Sequence, residues 1–316
     1  MRTRNIITAI VLAAGLTSFA GNAKAQNLYV TAGNQVGKYN ATTGTAINST
    51  FITGFNNTQS IGISGNNLFV GNGNVGNSNT GYIGEFNATT GAAINSSLIT
   101  GIDTPSSIAI SGNNLFISIY GGNSSGVIGE YNATTGAAIN STLITGLGVP
   151  TSIAISGNNL FVSSFNNIIG EYNATTGAVI NSSFISGLFE PNSLAISGNN
   201  LFVSCNTNIP GGGQLGFISE YNATTGALIN RNFITGLHSD LTLALSGNDL
   251  YVASYQDSAA GEYDATTGAV INSSLVTGVN IPTGIVIGAV PEPSTYALFG
   301  LGALVLVVIY RRKRTT

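Results

Sequence analysis

Short apolar runs alternate with polar and turn-forming residues throughout the middle of the chain. Leu115-Phe116-Ile117 and the run from Asn200 to Ser204 are typical: they are short, rich in β-branched and aromatic residues, and bounded by Gly and Asn. This pattern predicts strands rather than helices. Two turn sequences recur between the runs. Asn-Ala-Thr-Thr-Gly predicts a hairpin loop, because Asn caps a turn and Gly accepts a positive φ, and Ser-Gly-Asn-Asn predicts a tight hairpin.

The whole pattern repeats six times. An aromatic residue followed by Asn-Ala-Thr-Thr-Gly, with Asp for Asn in the last copy, begins at Tyr39, Phe86, Tyr131, Tyr172, Tyr221 and Tyr263. Each unit of about 44 residues holds four predicted strands. One unit alone cannot fold, since ordering costs about 1.5 kcal/mol per residue and each well-buried Ile, Leu or Phe returns about 1.5 to 3 kcal/mol. Neighbouring units must therefore cover both faces of every sheet.

The two ends of the repeat region are complementary. The region opens on Leu28-Tyr29-Val30, which corresponds to the second strand of later units, and finishes on Pro282 to Ile287, which corresponds to a first strand. We therefore expect the last strand to complete the sheet that the N-terminal strands begin. Closure of this kind, with a four-stranded repeat of this length, predicts an all-β, six-bladed β-propeller of antiparallel blades over residues 26–289, present as a compact monomer.

The repeat also resembles those of the NHL, YVTN and quinoprotein-type propellers. In those families an extended strand is followed by an Asp-x-x-Thr-Gly hairpin, as Leu-Tyr-Val and Asn-Ala-Thr-Thr-Gly occur here. The resemblance implies the same propeller fold.

The first 25 residues are typical of a secretory signal peptide. Arg2 and Arg4 precede an apolar run from Ile6 to Leu16, which is too short to span a bilayer, and Ala23-Lys24-Ala25 supplies a small-residue cleavage site. We expect cleavage after Ala25. A buried N-terminal helix is the alternative.

Residues 290–316 combine three further features in a fixed order. They are the motif Pro291-Glu292-Pro293, an apolar run from Tyr296 to Tyr310, and the basic cluster Arg311, Arg312, Lys313 and Arg314. As a helix the run would measure about 22 Å, shorter than the roughly 30 Å hydrocarbon core, and the basic cluster would stay cytoplasmic. The sequence therefore predicts one short transmembrane helix that holds the protein transiently in the inner membrane. A simple tail anchor is the alternative.

This segment resembles the PEP-CTERM sorting signal of Gram-negative bacteria, also known as the ice-binding-protein C-terminal domain. The resemblance implies processing by an exosortase-type sorting enzyme and release to the cell surface or the extracellular space. In that family the sorting genes accompany exopolysaccharide production.

Charge and composition exclude several classes of function. Residues 26–289 contain two basic residues, Lys38 and Arg231, and eleven acidic ones, a net charge of −9. Nucleic-acid binding is excluded, because it requires clustered Lys and Arg. One histidine, His238, and one cysteine, Cys205, indicate neither a metal site nor a cofactor, and we expect no catalytic residue.

The candidate binding residues lie in the connections that differ between repeats. In an antiparallel blade alternate connections share a side, so the two recurring turns lie on one face and the variable connections on the other. Recognition is usually placed in variable loops on a rigid scaffold. The alternative is that these are solvated loop residues whose sequence diverged between repeats without acquiring a function. The candidates are Asp103, Tyr120, Phe165, Asn166, Glu190, His238, Asp240, Tyr255 and Asp257.

Three functions remain open. The leading hypothesis is an exported surface or matrix protein that binds or displays without catalysis, with exopolysaccharide or another surface protein as partner. A polysaccharide lyase or hydrolase is the alternative, with Asp240, Asp257 and Tyr255 as its groups. Ice binding or adhesion is the third, suggested by the Thr-rich turns and the family name of the tail.

A glutamate that recurs in five units, Glu85 for example, is interpreted as structural.

Overall fold

The fold is described from a computed structural model over residues 26–73, 79–121, 126–208 and 214–289. The predicted signal peptide (1–25), the sorting motif, the transmembrane helix and the basic cluster (290–316) lie outside these residues. Within the described ranges, no helix is long and apolar enough to cross a membrane.

Six four-stranded antiparallel sheets form the domain, which confirms the predicted propeller. The first strands are β4 (Thr58–Ser64), β8 (Thr104–Ser111), β12 (Pro150–Ser156), β16 (Pro191–Ser197), β20 (Leu241–Ser246) and β24 (Pro282–Ala289). The second strands are β5 (Asn67–Asn72), β9 (Asn114–Tyr120), β13 (Asn159–Ser164), β17 (Asn200–Asn208), β21 (Asp249–Ser254) and β1 (Gln26–Ala32). The third strands are β6 (Gly81–Asn87), β10 (Val127–Asn132), β14 (Ile168–Asn173), β18 (Gln214–Asn222), β22 (Ala259–Asp264) and β2 (Gln35–Asn40). The outer strands are β7 (Ala93–Ile102), β11 (Ala138–Ile144), β15 (Val179–Ile185), β19 (Leu228–His238), β23 (Val270–Thr277) and β3 (Ala46–Thr53).

Blade 1 is the composite blade that closes the ring. Its strand order is β24-β1-β2-β3, so the last strand of the domain pairs with the first. The Thr31 hydroxyl lies 3.0 Å from the Thr283 hydroxyl, and Thr283 in turn donates to the Thr58 carbonyl of blade 2 at 2.8 Å. Blades 2 to 6 follow in chain order, each built from four consecutive strands. We call the side with the recurring turns the hairpin face and the opposite side the loop face.

The recurring hairpins form as their sequence predicts. In blade 1 the Asn40 side-chain oxygen accepts the backbone N–H groups of Thr42 and Thr43, both at 2.9 Å, and Gly44 adopts a φ of 68°. The same two bonds recur in the other five hairpins, with Asp264 in the last. These side-chain bonds lie within each turn, so they specify its conformation locally.

The hydrophobic core lies between the blades rather than in one central mass. Fully buried aromatic residues of the second strands, such as Phe161 and Phe202, pack against the sheet of a neighbouring blade. The first halves of the outer strands are exposed on both faces. The pairing of the outer strands with the third strands contains register shifts. Bulges of this kind blunt an exposed strand edge, here in a domain where charged residues are scarce.

A recurring glutamate supports the second strand in blades 2, 3 and 4. Glu85, Glu130 and Glu171 are buried and accept the side-chain amides of Asn67, Asn114 and Asn159 at 2.7 to 2.8 Å. These bonds agree with the structural interpretation of the glutamates.

Lys38 takes the glutamate position in blade 1. Its ammonium donates to the carbonyl groups of Ala88 and Thr89 in blade 2, at 3.0 and 3.2 Å, and lies 4.7 Å from the centre of the Phe51 ring. Lys38 therefore links the closing blade to its neighbour.

Candidate functional site

The first strands of all six blades surround an axial cavity that opens on the loop face. Its volume is about 620 Å³. Hydroxyl groups of one blade bond to the next blade around this opening: Ser60 donates to the Pro105 carbonyl at 2.8 Å, and Thr151 donates to the Pro191 carbonyl at 2.7 Å. These bonds join the blades where the cavity begins, so contacts within the protein shape the opening.

Three aromatic side chains stand at the mouth of this cavity. Tyr120 ends β9, and Phe165 and Tyr255 directly follow β13 and β21, so all three occupy the same position in their blades. Phe165 is 51% exposed and Tyr255 is 40% exposed. Aromatic rings exposed to this degree at the edge of a cavity offer apolar surface on which a ligand can pack.

Blade 5 places an amide where those three blades place an aromatic ring. The Asn206 side-chain nitrogen donates to the Glu190 carboxylate at 3.1 Å and to the Asp240 carboxylate at 3.3 Å. The amide of Asn192, which lines the cavity, also reaches Asp240, at 3.4 Å. One rim of the mouth is therefore built from two carboxylates held together by amides.

Both carboxylates sit on residues with left-handed backbone. Glu190 has a φ of 44° and Asp240 a φ of 59°, a conformation that costs energy in a residue with a Cβ. The conformation is held by side-chain acceptors, because the Glu190 N–H donates to Asn167 at 3.1 Å and the Asp240 N–H donates to Asn206 at 3.3 Å. Strain of this kind commonly marks a functional loop.

The structure brings some of the predicted site residues together and separates others. Tyr120, Phe165, Asp240 and Tyr255 line the axial cavity, and Glu190 joins them through Asn206. His238 and Asp257 form an exposed hydrogen-bonded pair elsewhere on the loop face, and Asp103 accepts the Asn79 N–H at 2.7 Å. Asn166 lies in the turn between β13 and β14.

Sequence reasoning missed the amides and hydroxyls of the mouth. Asn206 occupies the position of Tyr120, Phe165 and Tyr255, so an alignment of the six units by their second strands would have selected it. The hydroxyls of Ser60 and Thr151 gave no such signal, because small polar residues occur throughout the chain.

The opposite end of the axial cavity is lined by hydrocarbon. Six half-buried aliphatic residues, one from each first strand, surround a space of about 350 Å³ that opens on the hairpin face. They are Ile63, Ile110, Ile155, Ile196, Leu245 and Ile287. Groups that can hold a sugar or a peptide by hydrogen bonds are therefore concentrated at the loop-face end.

Metal and nucleophile chemistry receive no support from the described residues. Among them, no group of three or more His, Cys, Asp or Glu side chains is placed to hold a metal ion. Burial raises the pKa of Cys205 to about 12, so its thiol stays protonated near neutral pH. Cys205 pairs with Pro191 as Ser164 pairs with Pro150 in the preceding blade, so it replaces a buried serine.

A comparison with protein families supports the predicted sorting signal at the C-terminal end of the sequence. Residues 289–314 match the PEP-CTERM protein-sorting motif. The motif implies an exported protein that is processed by an exosortase-type enzyme and sorted at the membrane toward the cell surface. No curated protein sequence matches the chain.

Solved structures resemble the propeller in fold. A chain in the crystal structure of a nidogen/laminin complex superposes with a TM-score of 0.65 at 14% identity, over 83% of this chain and 98% of that one. The computationally designed Ika8 protein gives a TM-score of 0.45 at 16% identity, over 82% of this chain and 76% of that one. At these identities the first match shows the fold alone.

Proposed function

We propose that this exported propeller is a non-catalytic polysaccharide-binding protein of the cell surface or matrix, and that the mouth of its axial cavity holds the sugar. The observation that carries the proposal is the set of three aromatic side chains, Tyr120, Phe165 and Tyr255, at the mouth of an open, hydroxyl-lined cavity. The C–H face of a pyranose packs on an aromatic ring, and its hydroxyl groups exchange hydrogen bonds with amides and carboxylates. The mouth supplies both kinds of group.

Charge narrows the class of polysaccharide. Glu190 and Asp240 stand at the mouth, and no Lys or Arg is among the described residues that line it. An acidic chain would bring like charges together at this site, which costs free energy. We therefore expect the mouth to bind neutral sugar residues.

A glycoside hydrolase is the second candidate. The Glu190 and Asp240 carboxylates lie within hydrogen-bond reach of one nitrogen of Asn206, so they are close neighbours at the edge of the cavity. Retaining glycosidases use two carboxylates about 5 to 5.5 Å apart. Non-catalytic binding is favoured because both acids are engaged by amides that restrain them.

Binding to neutral polysaccharides, measured by affinity electrophoresis and calorimetry, tests the proposal. The double variant Phe165→Ala/Tyr255→Ala should weaken binding at least tenfold, about 1.4 kcal/mol, because the stacking surface is lost. Ile139→Ala is the matched control, since Ile139 is 53% exposed but lies on the outer strand of blade 3. Equal binding by the double variant and the control would overturn the proposal.

The same preparation decides between binding and hydrolysis. If the wild-type protein releases reducing ends from a bound polysaccharide and Asp240→Asn does not, the hydrolase candidate is correct and the non-catalytic proposal is wrong. Binding without turnover by both proteins supports the proposal.

A further inference from the structure

Blade 5 departs from the repeat at two facing positions. The third strand carries glycine in five blades, at Gly37, Gly84, Gly129, Gly170 and Gly261, and Ser219 in blade 5. Opposite it, the outer strand carries serine in five blades, at Ser49, Ser96, Ser141, Ser182 and Ser273, and Arg231 in blade 5. The other five copies therefore serve as internal references for what these two residues change.

Ser219 adds a side chain where the other five blades have none. A Cβ at any of the five glycines would lie only 2.6 to 3.0 Å from a ring carbon of the aromatic residue two positions later, Tyr172 in the case of Gly170. The Tyr221 ring is nevertheless as buried as that of Tyr172, so the packing in blade 5 adjusts to hold both side chains. The Ser219 hydroxyl donates to the Arg231 carbonyl at 2.6 Å.

A side cavity of about 350 Å³ lies at this place in blade 5. Its lining includes Phe189, Thr207, Phe217, Tyr221 and Arg231. Asn206 closes one side, with its amide already bonded to Glu190 and Asp240. The volume lies in the range of pockets that hold small ligands, about 300 to 1,000 Å³.

Arg231 is the available cation of the domain. Of the two basic residues in 26–289, Lys38 is buried and donates to two carbonyl groups, whereas Arg231 is exposed. In the described part of the chain, Arg231 has no carboxylate within ion-pair distance, and no Asp or Glu is among the residues that line the side cavity. A guanidinium group placed in this way favours a bidentate contact with a carboxylate.

We propose that the side cavity of blade 5 binds a carboxylate-bearing sugar residue, a uronate unit of an acidic polysaccharide. Arg231 pairs with the carboxylate, the half-buried ring of Phe217 supplies apolar surface for the pyranose, and Thr207 and Asn232 offer hydrogen bonds to its hydroxyls. This site borders the rim of the mouth at Asn206, but no Asp or Glu is among the described residues that line it, so it accepts the charge that the mouth disfavours. It therefore goes beyond the proposed function.

Calorimetry and amide NMR on the mature chain test the site with methyl glucuronoside, methyl glucoside and acetate as probes. We expect the glucuronoside to bind and the glucoside and acetate to bind at least tenfold more weakly, because each lacks half of the recognised groups. Arg231→Ser, which restores the repeat residue on an exposed strand, should remove glucuronoside binding. Arg231→Lys should weaken binding, because Lys lacks the planar fork.

Ser182→Arg is the matched control. It places an arginine at the same position of blade 4, where Ile168 replaces Phe217 and Gly148 replaces Phe189, and should create no new binding. Ser219→Gly should lower affinity without altering the guanidinium, because it removes the hydrogen bond from Ser219 to the Arg231 carbonyl.

Three results would overturn the proposal: no glucuronoside binding by the wild-type chain, unchanged binding by Arg231→Ser, or acetate binding as tightly as the glucuronoside. Phe165→Ala/Tyr255→Ala should leave glucuronoside binding intact. Failure at the mouth and failure at the side cavity are thereby distinguishable.

Discussion

The recurring Asn-Ala-Thr-Thr-Gly hairpins and the loops on the opposite face use glycine differently. At the end of each recurring hairpin, a glycine with positive φ lies against the outer strand of the preceding blade, and a Cβ there would overlap or crowd a backbone carbonyl oxygen. These glycines are Gly44, Gly91, Gly136, Gly177, Gly226 and Gly268. On the loop face, Gly101, Gly146, Gly187, Gly236 and Gly278 also have positive φ, yet a Cβ at each would meet nothing within 4 Å.

The difference bears on which turns can vary. The Asn-Ala-Thr-Thr-Gly hairpin packs on the preceding blade, so it constrains both conformation and space at its glycine. A loop that turns in open solvent constrains conformation alone, and so do the Ser-Gly-Asn-Asn turns at Gly65, Gly112, Gly157 and Gly198. The packed hairpins are therefore the scaffold, and the loop face is free to carry Phe165, Tyr255 and the strained carboxylates.

Removal of the closing strand should have the largest effect on this scaffold. Deletion of Pro282 to Gly288 removes β24 and exposes an edge of β1 along with one side of blade 2. We expect loss of the cooperative thermal transition and aggregation. A truncation directly after Ala289 keeps β24 and should melt as the longer chain does. A soluble deletion variant with an unchanged transition would refute closure by β24.

Two glycine substitutions should show the contrast between the open loops and the packed hairpins, with smaller losses of stability than the deletion causes. Gly101→Ala should cost about 1 kcal/mol, because only the left-handed backbone is strained. Gly177→Ala should lower the free energy of unfolding by several times as much, because its Cβ would also overlap the Leu143 carbonyl of the preceding blade. Chemical denaturation measures both values. Equal losses would mean that hairpin packing adds nothing to the conformational requirement.

Much of the fold could be predicted from sequence because each blade repeats the same turn sequences and the same strand pattern. Asn40 and Gly44 specify a hairpin through bonds to their own neighbours, and the same residues do so in each copy. The offset between Leu28 and Ile287 in the repeat then specified how the ring closes.

Contacts between blades were less accessible to sequence reasoning. Lys38 was visible as the exception in a row of glutamates, but its bonds to Ala88 and Thr89 depend on the angle between two blades. The side cavity gathers residues from three strands of blade 5 and from the connection that precedes the blade, and the sequence does not show that Phe189, Phe217 and Arg231 line one space.

The glutamate ring predicts a modest dependence of stability on pH. Burial raises the pKa of Glu85, Glu130, Glu171, Glu220 and Glu262 above the ordinary value of 4.5. The folded state then binds more protons than the unfolded state at pH values just above 4.5, so this contribution to stability is lost as the pH rises through the folded pKa values. The melting temperature should increase when the pH is lowered from 7 toward 5. Replacing Glu171 by Gln should reduce that increase.

The central claim is that the loop face binds and the hairpin face supports. Amide and methyl NMR spectra, recorded while a neutral oligosaccharide is added to the mature chain, test it most directly. The account predicts shifts at Tyr120, Phe165, Asn192 and Tyr255 around the mouth, with the hairpin residues Thr134 and Thr175 unchanged. Shifts centred on the hairpin threonines, with the residues of the mouth unaffected, would contradict it.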